Sequence, residues 1–157
     1  MQVGENTEQN IWVRKLSVLQ LFRTVYLVPI LFSLASCGEK IQPTEEQSHA
    51  SLSWLSLVDD AEYAASWDKS SSLFQKAVDR PVWSQKVQSV RGPLGEVVAR
   101  ELVTVQLVVD PAGQPDGEFL VLSYESSFES KRRATETHTL VFEASTKLWL
   151  NAGYFIK

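Results

Sequence analysis

Glu136 and His138 stand two residues apart in a threonine-rich run, Ala134 to Phe142. In an extended strand that spacing puts a carboxylate and an imidazole on one face. Leu140 and Phe142 continue the same face. Where such a face lines an apolar pocket, desolvation drives a carboxylate toward its proton-donating form, and protons can pass between acid and base. Tyr63, Tyr124 or Tyr154 would donate to a substrate carbonyl. Trp67 and Trp83, with Tyr63, would form the rim of the pocket. This is the equipment of a small isomerase or dehydratase. The plainer reading makes the pair a polar edge of the sheet near solvent, and the tryptophans core filling.

Other chemistry finds little support. The chain has no Gly-x-Ser-x-Gly elbow, no His-Glu-x-x-His, no phosphate loop and no Gly-x-Gly-x-x-Gly turn. His49, the other histidine, falls near the start of a helix and reads as solvated. Zinc takes three or four Cys or His ligands with supporting carboxylates, and no such cluster stands in the sequence. No metal and no cofactor is expected.

Cys37 is the only cysteine, and its surroundings say what its thiol is for. Arg14, Lys15 and Arg23 precede an uncharged run, Thr24 to Ser36, rich in Val, Leu, Ile and Phe. The run is shorter than the ~20 apolar residues a spanning helix needs, and Pro29 weakens it as a permanent helix. Small Ala35 and Ser36 suit a peptidase that takes a narrow, extended substrate. Leu34-Ala35-Ser36-Cys37-Gly38 resembles the lipobox of bacterial lipoproteins. That resemblance implies a diacylglycerol on Cys37, cleavage between Ser36 and Cys37, and a further acyl chain such as palmitate on the new amine. Two or more chains give stable membrane attachment. The alternative is a buried free cysteine beside a soluble helix.

Residues 1–36 therefore read as a signal peptide, of which 1–13, with Glu5 and Glu8, read as a mis-called start. Residues 37–43 are the acylated cysteine and a short tether. Residues 44–157 form one domain, of a size that one hydrophobic core can hold together. The whole chain carries a net charge of −4, and removing 1–36 makes it one unit more negative. That balance argues against nucleic acid, which selects basic faces. Lys131-Arg132-Arg133 reads as a hairpin turn. With Cys37 acylated there is no disulfide, so the core must hold by packing. Trp54, Trp67, Trp83 and Trp149 suggest that it is well filled.

The elements that must position these groups come in two blocks. Thr44-Glu45-Glu46-Gln47 has capping-box spacing, and Trp54, Leu55, Val58 and Ala61 follow at helical intervals. Asp60 would cap a second short helix carrying Tyr63 and Trp67. Ser72 with Gln75 would cap a third. Asp79 and Pro81 open a fourth, with the stripe Trp83, Val87, Val90, Leu94. Gly92-Pro93 and Gly95 stop it. The period then changes to two. Val103, Val105, Leu107 and Val109 mark a strand face, and Asp110 to Gly117 a turn-rich loop. Leu120, Leu122, Tyr124 and Phe128 mark the second strand, with Glu125 on its exposed side. Ala134 to Phe142 and Leu148 to Ile156 supply the third and fourth. Helices first and a four-stranded antiparallel meander after them give an α+β fold, with the helices packed on one sheet face.

Three pieces resemble the bacterial domain-of-unknown-function family 4019: Asp60-Ala61-Glu62-Tyr63-Ala64-Ala65-Ser66-Trp67, Tyr124-Glu125-Ser126-Ser127-Phe128, and Gly153-Tyr154-Phe155-Ile156-Lys157. The likeness runs from about His49 to the end. It implies a grouping and no mechanism. The order of elements also resembles the cone-shaped nuclear-transport-factor-two-like or cystatin-like architecture, whose members include isomerases, dehydratases and plain binding modules.

The expectation is thus a membrane-anchored cell-envelope lipoprotein acting as a non-catalytic binding or interaction module. Its partners would be the membrane through Cys37, an envelope protein or a second copy through the sheet face bearing Thr135, Thr137 and Thr139, or a small apolar ligand. No Asp follows Cys37 to retain the protein at an inner membrane. In a Gram-negative source the periplasmic face of the outer membrane would be its address.

Overall fold

The structure, a computed structural model, describes residues 41–157. The expected signal peptide 1–36, Cys37 and the tether up to residue 40 lie outside the described residues. Thr44 starts the first helix as its sequence requires. Its hydroxyl accepts from the Gln47 amide at 3.2 Å, and the Gln47 side chain accepts from the Thr44 amide at 2.8 Å. This closes a capping box at the head of α1, Glu45–Asp59. One face of α1 then buries Ser51, Trp54, Leu55 and Val58.

Two caps differ from expectation by a residue or more. Asp60 is the C-cap of α1, and α2, Tyr63–Asp68, starts after Glu62 with no side-chain cap. Ala61, with φ +58°, makes the sharp turn between them. For α3, Ser72–Ala77, the cap is Ser71, whose Oγ accepts from the Phe74 amide at 3.2 Å. Ser71 is fixed there because its own amide donates to the Asn151 carbonyl at 2.8 Å. The fourth helix, α4, Arg80–Arg91, opens with Pro81 as expected, but buries Trp83, Val87 and Arg91. Val90, assigned from its spacing to the buried stripe, is 50 % exposed. The stripe is instead i, i+4, i+8, and its last member is a cation. A 3-10 turn, Gly92–Leu94, ends at Gly95 with φ +77°, a backbone state that favours glycine.

Four strands follow: β1 Val97–Val109, β2 Glu118–Phe128, β3 Lys131–Glu143 and β4 Leu148–Ile156. They form one antiparallel sheet in the order β1-β2-β3-β4. The architecture is α+β, helices first and then an open sheet. β1 starts six residues earlier than its valine pattern suggested. A bulge between Leu102 and Thr104 shifts its register, so Leu102 joins Val105 against the core while Val103 is 55 % exposed. The basic run also differs. Lys131, Arg132 and Arg133 begin β3, and the turn before them is Glu129-Ser130.

The core lies between the helices and one sheet face. Trp54, Leu55 and Val58 from α1, with Phe74, Trp83 and Val87, meet Leu120, Leu122, Tyr124, Leu140 and Trp149. Leu55, Leu122 and Leu140 are fully buried, each contributing about 1.5–3 kcal/mol of transfer free energy. Two indoles converge on one serine: Trp54 Nε1 donates to the Ser66 carbonyl at 2.8 Å, and Trp83 Nε1 to Ser66 Oγ at 2.9 Å. On the far sheet face Thr135 is exposed, and Thr137 and Thr139 are half-buried.

Candidate functional site

The core face of the sheet is not wholly apolar. Strand pairing aligns Arg100 with Ser126, and His138 with Tyr154. Glu136 and His138 alternate with the threonines of β3, so both point inward, as their spacing indicated. Both are 0 % exposed. They do not face an open pocket.

Glu136 is enclosed by donors from three strands. Arg100 Nε reaches Oε2 at 2.7 Å and Nη2 reaches Oε1 at 3.2 Å. Ser126 donates to Oε2 and Tyr154 to Oε1. Arg100 also grips Asp59 at the end of α1, through Nη1 at 2.8 Å and Nη2 at 3.0 Å. Arg91, at the end of α4, adds a bond to Asp59 at 3.1 Å, donates to the Gly95 carbonyl, and lies 4.4 Å above the Phe128 ring. Two carboxylates and two guanidiniums therefore balance. Burial disfavours the Arg100 cation, but its bonds to Asp59 and Glu136 outweigh that and raise its pKa. Burial, reinforced by the Glu136 charge beside it, raises the pKa of Tyr154 well above that of a free tyrosine.

His138 is held separately, and no hydrogen bond joins it to Glu136. Its Nδ1 lies 2.8 Å from Ser51 Oγ, which lies 2.8 Å from Tyr124 Oη. The ring stacks on Trp54, with centroids 4.7 Å apart. Nε2 has no partner among the described residues. Burial pushes the imidazole down to about 3, and raises the Tyr124 hydroxyl. A histidine so placed stays neutral through the physiological range.

This arrangement corrects the acid/base reading. The tyrosines near the pair are engaged: Tyr154 donates to Glu136 rather than to a substrate, and Tyr124 is joined to Ser51. Trp67 is half-buried and donates to the Val78 carbonyl at 2.7 Å. Tyr63 packs against the outside of the core. Trp83 is buried, yet one side of it is reachable. It lines an open groove of about 390 Å³ between α4 and β4, with Val87 and Val90 from the helix and Tyr154, Phe155 and Ile156 from the strand. Lys86 and Arg91 are its cations. Tyr63 and Trp67 are not among its lining residues, so the structure keeps Trp83 from the expected rim and replaces its companions. His49 is exposed, 3.5 Å from Ser53 Oγ.

Asp59, Arg91, Arg100 and Ser126 were not singled out in the sequence. A signal existed for three of them. Arg91 lies eight residues from Trp83 on the buried stripe. Arg100 lies two before Leu102, and Ser126 falls between Tyr124 and Phe128 in the alternation. Among the described residues no three His, Cys, Asp or Glu are grouped to hold a metal ion. No described helix is long and apolar enough to cross a membrane.

Residues 50–154 match the family model described as "Protein of unknown function (DUF4019)". The chain belongs to that family. No curated protein and no solved structure matches it.

Proposed function

We propose that this family member is a lipid-anchored cell-envelope protein whose domain binds without catalysing. The occupant is a small apolar ligand, or an apolar segment of an envelope partner, seated in the groove between α4 and β4. One observation carries the reading. The two groups equipped for proton transfer are sealed in the core at 0 % exposure and bonded to the scaffold. The open concave surface near them is apolar and aromatic instead. Its size and lining suit a ligand site, where apolar walls supply affinity and a few polar groups fix orientation. Lys86 gives it an exposed cation for an anionic head group. The isomerase or dehydratase reading has no observation in its favour.

The membrane address rests on Cys37 and its flanking residues. The outer sheet face, with Thr135, Thr137 and Thr139, is left as a polar surface for an envelope partner or a second copy.

The binding reading is tested by native mass spectrometry of the protein purified gently from the envelope, beside a Val90→Arg variant. Val90 is exposed, so a long cation there fills the groove without opening the core. The wild-type chain should carry an added mass that the variant lacks. A wild-type chain as bare as the variant contradicts the reading.

A further inference from the structure

β1 is an edge strand, and it concentrates the domain's exposed apolar side chains. Val98, Val103, Leu107 and Val109 are 69, 55, 47 and 59 % exposed. Isolated exposed apolar residues are ordinary on a protein surface, whereas a set gathered on one edge marks a place of interaction. Ile41, the first described residue, is 57 % exposed. With Gln42 it lines a shallow groove of about 210 Å³ against Leu102, Val103, Thr104 and Val105. The chain thus enters the domain alongside the middle of β1. Cys37 is four residues before Ile41, a reach of at most ~14 Å even when fully extended.

We propose that the β1 edge rests on the bilayer surface, with Val103 and Leu107 entering its interfacial zone. This rests on the reading of Cys37 as the acylated anchor. The tether is too short to hold the edge far from the membrane, and the anchor keeps it at a high effective concentration there. Weak apolar contacts are then enough.

The basic run lies at the same end of the sheet as Val98. Phe128 pairs with Val97 on one side and Lys131 on the other. Arg133 is held by Glu125 at 3.3 Å, while Lys131 and Arg132 have no ion-pair partner among the described residues. These cations face the headgroup region when β1 lies down, an arrangement that favours anionic lipid.

A second copy of the chain fits this edge less well. Bulges between Val97 and Ala99 and between Leu102 and Thr104 interrupt the ladder. Bulges of this kind bend an edge and block strand addition. A fluid lipid surface needs no register.

The test uses the full chain, exported, processed and reconstituted into vesicles of phosphatidylethanolamine and phosphatidylglycerol. Val103→Cys, Leu107→Cys and the reference Leu52→Cys, an exposed position on α1 outside both grooves, are each labelled with an environment-sensitive fluorophore. Cys37 is the only native cysteine, and acylation leaves it unlabelled; the mass of its peptide is read from the same sample. Nitroxide-bearing lipids should quench positions 103 and 107 about twofold or more beyond position 52, as expected of side chains in the interface. Either position alone suffices if the other variant folds poorly. Equal quenching at all three positions, with Cys37 acylated, overturns the docking and leaves the anchor standing. A free Cys37 thiol overturns both.

Discussion

Arg100 on β1 and Glu136 on β3 are joined across the intervening β2 by a two-pronged ion pair, at 2.7 and 3.2 Å. Asp59 takes the other side of the same guanidinium. Through Asp59 the guanidinium ties the end of α1 to the sheet. Arginine suits this because its planar fork serves two carboxylates at once.

Glu136→Gln leaves a buried cation under-compensated. Losing one partner of a buried pair costs about 3–5 kcal/mol, and the remaining Asp59 contact sets the loss near the lower end. That is a large share of the ~5–15 kcal/mol that holds a domain. Urea unfolding should show it. A loss below about 1 kcal/mol, the range of surface pairs, would show that the network is not structural.

His138 makes stability depend on pH. Folded, it is held down to about 3, from the 6.5 of a free imidazole. Between those values the unfolded chain binds the extra proton, so stability is full above pH 6.5 and is lost as pH falls toward 3. The loss from pH 7 to pH 5 should be about 2 kcal/mol. His138→Gln should remove this slope. An unfolding free energy of the wild type that is flat from pH 7 to pH 5 would contradict the burial of a neutral imidazole.

The tyrosines act at the other end of the scale. Burial raises both Tyr124 and Tyr154 above the 10.0 of a free tyrosine. Here the unfolded chain loses protons first, so stability is unaffected below pH 10 and falls as pH rises further. Phenolate absorbance from Tyr154 should appear only together with unfolding. Its ionisation in a chain that keeps its native circular dichroism would contradict this.

Trp67 should behave as a staple and not as a ligand contact. Trp67→Phe removes its bond to the Val78 carbonyl, at a cost of about 1 kcal/mol. Occupancy of the α4–β4 groove should stay at the wild-type level. Loss of bound ligand at unchanged stability would place Trp67 in the site.

The order of elements was legible because each is set by local signals. The Thr44–Gln47 box, Pro81, the glycines after Arg91 and the period-two runs of β2, β3 and β4 all act within a few residues. The inward face of Glu136 and His138 was legible for the same reason. Their enclosure was not, since it depends on Arg100 and Asp59, 36 and 77 residues from Glu136 in the chain. Arg91 was overlooked because Val90 satisfied the apolar pattern one position away. The start of β1 was hidden by Val97-Val98-Ala99-Arg100-Glu101-Leu102, where a bulge breaks the alternation. The α4–β4 groove joins residues more than 60 positions apart in the chain, and only Trp83 and Tyr154 hinted at it.

The anchored, binding reading is tested most directly by the intact mass of the chain extracted from membranes. It should lack residues 1–36 and begin at Cys37 carrying a diacylglycerol. A membrane-derived chain that retains those residues, with a free thiol at Cys37, would contradict it.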